Sequence, residues 1–297
     1  MKVKIFSHKS DPDGIGSVIV VSLAYQNASF EVFPNNRELD ERLDEFLSNK
    51  EYLNYDKIYI ADLCPNNALL KKMASLTSNP FVVYDHHLTS SKETESYPFV
   101  HIEASSGQCA TSLLYQDLKG KFDNETLNTL VYLTRMHDTW LWKEENVTKS
   151  LDLESIYHYL GAYGYYYYFR DKCLKNDNVF FNKEEERWLI YQNKEEQEKI
   201  KDILNRLVVK QVDGLTFATV YGPYLLRNLV ADSLRDREDN IDILIYLTPD
   251  NETISFRSIS GVPVNDLAEE LGGGGHAKSA STYLSHETEG FVRKKYF

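Results

Sequence analysis

The sequence predicts an α/β protein: an N-terminal parallel-sheet domain (residues 1–150), a helical connector (151–210) and a smaller C-terminal α/β domain (211–297). Three observations carry this reading. Short strand runs alternate with segments of helical length, the pattern of strands joined by crossover helices. Those runs are almost continuously apolar, as parallel strands buried on both faces are. Beyond a long, charge-dense segment of helical periodicity, the alternation starts again. At 297 residues the chain suits about two domains and can bury a large core without staples.

Residues 3–6 (VKIF) are a β-rich run that stops at the turn-forming SDPDG, and 15–25 is an apolar stretch of helical length. FEVFP at 30–34 is extended, 38–46 is a charged helix, and KIYIA at 57–61 is a strand ending at Asp62. Residues 67–76 are helical, FVVY at 81–84 is a strand ending at Asp85, and a helix over 127–136 leads into HDTWLW. Across 182–211, Trp188, Tyr191, Ile200, Ile203, Leu204 and Leu207 recur at roughly helical spacing, which makes this segment a connecting helix. Strands at 215–221 and 241–248 flank a helix at 223–234. A strand at 253–257 precedes a helix at 264–271, and SASTYL reads as a further strand. The tyrosines at 165–168 read as a buried or half-buried aromatic patch rather than a base-stacking platform.

Composition excludes several classes. With 33 Lys+Arg against 45 Asp+Glu, the net charge is −12. Such a chain is a poor binder of duplex DNA, whose non-specific affinity comes mostly from neutralised phosphates, although a local basic pocket or bound cations can supply positive charge. Cys64, Cys109 and Cys173 lie far apart with no CxxC pair, which argues against a disulfide scaffold or a cysteine zinc site and for a reducing compartment. The longest apolar stretch, near 18–24, is far short of the ~20 residues that span a bilayer. MKVKIFSH lacks the apolar run of a signal peptide. A mature, cytoplasmic, globular chain with no membrane role is expected.

The chemistry-bearing residues stand where strands end. His8, Asp11 and Asp13 lie in HKSDPDG. Alone, Pro-Asp-Gly is a turn signal. It is no calcium loop, because the glycine comes too early and Ser22 stands at position twelve. Its place past the carboxyl end of a parallel strand is where open α/β sheets bind ligands. Asp62, alone, is a turn former or helix cap. In Asp85-His86-His87 the adjacent histidines alternate in direction, so one can face a ligand while the other meets a different partner. Asp138 in RMHDTW reads equally as a cap beside a buried His137.

Together these segments bring four aspartates and at least two histidines to one edge of the sheet. Mixed carboxylate and imidazole ligands suit Mn²⁺, Fe²⁺, Zn²⁺ or Mg²⁺, and carboxylate-rich sets lean to Mn²⁺ or Mg²⁺. Six ligands exceed what one open metal needs and suffice for two that share an Asp. Such pairs, ~3.5–4 Å apart, are a device for phosphoryl transfer to water. Near the C-terminus, GGGGHAKS nearly matches a Walker A loop, but Ala277 stands where a glycine belongs and a helix rather than a strand precedes it. The four glycines then suit close approach of backbone N–H groups to an anion or a base. Arg257 in ISFRS is a bidentate phosphate partner or, equally, half of a surface ion pair.

This ordered set resembles the DHH phosphoesterase superfamily, which includes RecJ-type exonucleases, nanoRNases, family II pyrophosphatases, exopolyphosphatases and cyclic-dinucleotide phosphodiesterases. SHKSDPDGIGS resembles its first motif, Asp62 its second, Asp85-His86-His87 its third and Asp138 its fourth. ISFRS followed by LAEELGGGGHAKSAS resembles the C-terminal DHH-associated domain. The resemblance implies a DHH metal-binding catalytic domain over 1–150 and a substrate-binding domain over 211–297. It implies one metal held by His8, Asp11 and Asp62 and another by Asp13, Asp62, His86 and Asp138, with Asp62 bridging. Asp62 and His87 would be catalytic, His87 facing the scissile phosphate. Arg257, Gly273, Gly274, Gly275 and His276 would hold the terminal nucleotide or phosphate. Two Mn²⁺ ions are expected, with Mg²⁺ or Co²⁺ as substitutes. The chain departs from the family pattern in a short His8-to-Asp11 interval and in Ser279-Ala280-Ser281 where Ala-Ala-Gly is usual.

Resemblance does not fix the substrate. The glycine-rich C-terminal segment argues against a pyrophosphatase, and acidity in both halves argues against tracking a long polymer, which wants a basic channel. The expectation is a nanoRNase-like enzyme that releases 5′-mononucleotides from very short RNA and also acts on 3′-phosphoadenosine 5′-phosphate. The alternatives are a linear dinucleotide (pApA) phosphodiesterase, an exopolyphosphatase, or, from another class, a non-catalytic nucleotide-binding regulator. A homodimer is compatible with the sequence, which leaves the oligomeric state open.

Overall fold

Five strands, β1 (Val3–His8), β2 (Ser29–Phe33), β3 (Lys57–Ala61), β4 (Phe81–Asp85) and β5 (Val100–Ile102), form a wholly parallel sheet of order β2-β1-β3-β4-β5 in the computed structural model. The structure describes residues 1–87, 90, 97–104, 107–177, 180–235, 237 and 240–297. They divide into two units, Met1–Glu186 and Arg187–Phe297. Val3, Ile5, Phe6, Ile58, Ile60 and Val83 are fully buried, which explains why their strands read as apolar runs. On one face, α2 (Asn36–Ser48) and α3 (Asn67–Ala74) set Leu39, Leu43, Phe46, Leu70 and Met73 against Phe6, Ile58, Ile60 and Val83. Each such burial is worth about 1.5–3 kcal/mol.

The other helices of this unit are α1 (Pro12–Ala24), α4 (Ala110–Leu118), α5 (Glu125–Asp138), the short α6 (Leu141–Glu144) and α7 (Lys149–Lys175), which bends at Gly161. Nearly every residue of α1 is buried, because α4, α5 and α7 enclose it. Residues 12–14, a turn signal by themselves, form the first turn of α1. Asp11 is extended and accepts the Gly14 N–H at 3.0 Å, and Pro12 sits where a helix needs no donor. A Cβ on Gly14 would lie 2.1 Å from the His8 carbonyl oxygen, so glycine lets the helix start close against the end of β1. The strand order reverses between β1 and β3, and the crevice of such a sheet opens at the carboxyl ends of those strands. Of the tyrosine cluster on α7, Tyr165 and Tyr166 are buried, with Tyr165 against Phe169 and Tyr166 against Phe30, while Tyr167 is exposed.

The stretch 151–210 is divided between the units. α7 belongs to the first, whereas most of α8 (Lys183–Asn205) belongs to the second. The helix expected over 182–211 ends at Asn205, because Val208–Val212 is β6, an edge strand paired with β7 (Leu215–Tyr221). The second sheet has the order β10-β11-β9-β8-β7-β6, with β8 (Ile243–Thr248), β9 (Thr253–Ser258), β10 (Gly274–His276) and β11 (Ser279–Tyr283). Only the β7–β8 pair is parallel among its described pairings. On one side, Ile200 and Ile203 of α8 and Val230 and Leu234 of α9 (Arg227–Arg235) pack on Ala218, Leu244 and Tyr246. On the other, Ala268 of α10 (Asn265–Glu270) and Val292 and Tyr296 of α11 (His286–Tyr296) cover Phe217, Ile245, Phe256 and Ala280.

The three cysteines are free and buried. Among the described residues, no helix is long and apolar enough to cross a membrane.

Candidate metal centre

Six side chains expected as ligands converge at the carboxyl edge of the parallel sheet. His8 ends β1, Asp11 caps α1 and Asp13 lies in its first turn. Asp62 follows β3 in the left-handed region (φ 59°), His86 follows β4, and Asp138 ends α5. His8 Nδ1 lies 2.8 Å from Asp11 Oδ2 and 3.2 Å from Asp62 Oδ2. On the far side of the same carboxylate, Asp62 Oδ1 lies 3.3 Å from His86 Nε2, which is also 3.1 Å from Asp138 Oδ2 and 3.8 Å from Asp13 Oδ2. Three groups result, each with ligand atoms within 4.8 Å of one another: His8, Asp11 and Asp62; Asp13, His86 and Asp138; and Asp62, His86 and His87.

Residues outside the expected set hold these side chains in place. Asp13 is buried at the start of α4, where its two oxygens accept the N–H groups of Ala110 at 2.9 Å and Thr111 at 2.8 Å. Asp85 is fully buried. Its Oδ1 accepts the His86 N–H at 2.8 Å and lies 2.6 Å from His87 Nδ1, which fixes the half-exposed His87 ring. His137, beside Asp138, is half-buried against Glu154 of α7, with Nε2 2.9 Å from Oε2, and His158 Nε2 lies 3.4 Å from the other oxygen. Asp85 was visible in the sequence as part of a motif but without a role. Glu154 carried no local signal at all, since its partner lies seventeen positions away on another helix.

The electrostatics are those of a cation site. Burial raises the Asp13 carboxyl well above its usual range, and Asp62 and Asp138 push it further. Burial likewise brings Asp138 to about 6, with His86 opposing and Asp62 adding to the rise. Burial disfavours charge on His86, yet Asp138, Asp62 and Asp13 raise it to about 11. Burial opposes ionisation of Asp62, but His8 and His86 hold it below the usual carboxylate range. The cluster therefore crowds more negative charge than its own imidazoles offset. His86 Nε2 and Asp138 Oδ2, both buried, have no well-formed hydrogen bond although they face each other. Oxygen and imidazole donors in this state fit divalent metal ions of the Mn²⁺ or Mg²⁺ kind.

Arg257, Gly273, Gly274, Gly275 and His276 belong to the second unit. Arg257 on β9 is opposite Ser279 on β11, which is opposite His276 on β10, so the three share one face of that sheet. Gly275 (φ 144°) would place a Cβ 2.6 Å from Ala280 Cα, and its absence lets β10 lie directly on β11. Arg257 is buried, so the alternative of a surface ion pair is excluded.

Residues 2–135 match the DHH family, N-terminal domain. Over 297 residues the chain is 26% identical to oligoribonuclease NrnB of Bacillus subtilis, covering 95% of this chain and 73% of that protein. The pGpG-specific phosphodiesterase PggH from Vibrio cholerae shares the fold with a TM-score of 0.57 at 14% identity, over 99% of this chain and 97% of that one. RecJ of Thermus thermophilus, solved in complex with Mn²⁺, shares it with a TM-score of 0.57 at 14% identity, over 99% of this chain and 51% of that one.

Proposed function

We propose that this chain, whose residues 2–135 match the DHH family, N-terminal domain, is a metal-dependent phosphoesterase that releases 5′-mononucleotides from short oligoribonucleotides and also acts on 3′-phosphoadenosine 5′-phosphate. The observation that carries this reading is the division of the Asp62 carboxylate between two sets of ligands, His8 with Asp11 and His86 with Asp13 and Asp138. In this reading those sets hold two divalent ions, Mn²⁺ for preference, with Asp62 shared between them. Bound there, such ions lower the pKa of water near neutrality and offset charge on phosphoryl oxygens.

The chain's own residues supply the rest. Burial disfavours a charged His87, but Asp85 raises its pKa to about 9, so the ring is a cation near neutral pH. With Nδ1 engaged by Asp85, His87 donates its other N–H to the phosphate being cleaved, and it stabilises charge that grows there. Asp85 fixes that ring's orientation, and the α4 amides fix Asp13. In the second unit, Arg257 takes a phosphate of the substrate, while Gly273, Gly274, Gly275 and His276 take its terminal nucleotide. The likeness to an oligoribonuclease across 95% of the chain supports a short RNA substrate. The net charge of −12 supports a short one held at an end over a long one tracked along a groove. The buried free cysteines support a reducing, cytoplasmic location.

The test is turnover with Mn²⁺ on di- to pentaribonucleotides, 3′-phosphoadenosine 5′-phosphate, pApA and polyphosphate. Release of 5′-mononucleotides from the oligomers is expected. No release from any of them would overturn the proposal.

A further inference from the structure

The second unit buries a guanidinium that, among the described residues, forms no ion pair. Arg257 is 4% exposed, and every polar contact of its head is neutral. Nε donates to Asn228 Oδ1 at 2.9 Å, and Nη1 donates to the carbonyls of Phe256 at 3.0 Å and Ala280 at 3.4 Å. Asp232, the carboxylate on the adjoining α9, is taken by Arg235 at 2.6 Å. Among the described residues, no carboxylate lies within ion-pair distance of Arg257. Burial and the like charges of Arg227 and Arg235 lower its pKa to about 9, against the weaker opposing pull of Tyr224 and Asp232. Buried guanidinium groups are ordinarily paired, because an uncompensated buried charge is costly.

With Nε and Nη1 engaged, Nη2 is the nitrogen of the head that makes none of these hydrogen bonds. Arg227, whose charge acts on Arg257, stacks on Tyr224 with Cζ 3.5 Å from the ring centroid, while its Nη1 donates to the Tyr224 carbonyl at 2.7 Å. The acceptor on Nε decides what this arrangement can do. An aspartate at 228 has the same reach as asparagine and would complete a buried ion pair. Asparagine makes the same hydrogen bond with no charge.

We infer that Asn228 is a positioning residue: it holds the Arg257 guanidinium by its Nε edge and, being neutral, leaves the whole positive charge for a phosphate monoester or diester of the substrate. This rests on the functional reading above, in which Arg257 meets a substrate phosphate, and it names the residue that aims and preserves that charge. A planar guanidinium fixed along one edge presents its remaining N–H groups in a set direction, which is what phosphate recognition needs.

The test is calorimetric binding of AMP, with adenosine as the control, to the full chain in EDTA, so that metal-held phosphate does not contribute. The wild type is expected to prefer AMP over adenosine. Asn228→Asp is expected to weaken AMP by about tenfold or more, the scale of a lost charged hydrogen bond, while its melting temperature equals or exceeds that of the wild type. A merely structural residue would not lose affinity while keeping or gaining stability. Asn228→Leu, which keeps the charge but not the aim, is expected to weaken AMP by a smaller factor than Asn228→Asp. Wild-type AMP affinity in either variant, a less stable Asn228→Asp, or no AMP preference in the wild type would overturn the inference. AMP binding that depends on Asn228 without any hydrolysis of oligoribonucleotides would instead overturn the functional reading alone.

Discussion

Asp62 divides its carboxylate between two histidines at the ends of different strands: Oδ2 lies 3.2 Å from His8 Nδ1 and Oδ1 lies 3.3 Å from His86 Nε2. The left-handed backbone at Asp62, where β3 ends, sets a buried side chain between the ends of β1 and β4. Asp62→Ala is therefore expected to abolish turnover nearly completely, beyond the ~10–100-fold cost of removing a partner of a metal ligand. A native circular dichroism spectrum would show that the fold persists. Turnover within tenfold of wild type would reject a shared role for this residue.

Asp138 carries the opposite stability sign. Burial and Asp62 raise its folded pKa to about 6, against roughly 3.9 in an unfolded chain. Its contribution to stability is thus fully present below about pH 4 and lost as pH rises through about 6. Asp138→Asn is expected to raise the melting temperature of the EDTA-treated protein at pH 7.5, by an increment that shrinks towards pH 5. The same variant should lose the stabilisation that Mn²⁺ gives the wild type. Thermal melts at the two pH values, with and without Mn²⁺, decide this.

Asp85→Asn separates orientation from ligation. It keeps an oxygen near the His86 N–H but no longer anchors a cationic His87. A fall in kcat of about 10–100-fold is expected, as for other carboxylates that orient a functional histidine. Mn²⁺ affinity should change by less than this. Unchanged kcat at saturating Mn²⁺ would remove His87 from the chemistry.

The half-buried Glu154–His137 pair predicts a stability window. Burial opposes both charges, yet His137 lowers the Glu154 pKa and Glu154 raises that of His137. The glutamate's contribution is present above about pH 4.3 and lost as pH falls through its depressed value. The histidine's is present below about pH 6.5 and lost as pH rises through its raised one. Glu154→Gln should cost about 1.5–3 kcal/mol between roughly pH 4.5 and 6.5, and less at pH 9. Urea unfolding at pH 6 and pH 9 measures it, and an equal cost at both would contradict the pairing.

Most of the site was readable because parallel strands are buried on both faces. Their apolar runs end abruptly, and Asp62 and Asp85 mark the ends of two of them. What escaped the reading is physically of a different kind. Pro12-Asp13-Gly14 carries the same residues as a turn, and only the Asp11 cap makes it a helix start. β6 is an exposed edge strand whose valines extend the helical spacing before it, so pairing with β7 rather than composition defines it. Glu154 and Asn228 act through partners far away in sequence, at His137 and Arg257, which no local pattern announces.

The most direct test of the whole account is anomalous scattering from crystals of this chain soaked in Mn²⁺. Two peaks about 3.5–4 Å apart, one on the His8 and Asp11 side of Asp62 and one on the His86, Asp13 and Asp138 side, are the predicted result. A single peak on one side, or ions bound away from Asp62, would contradict it.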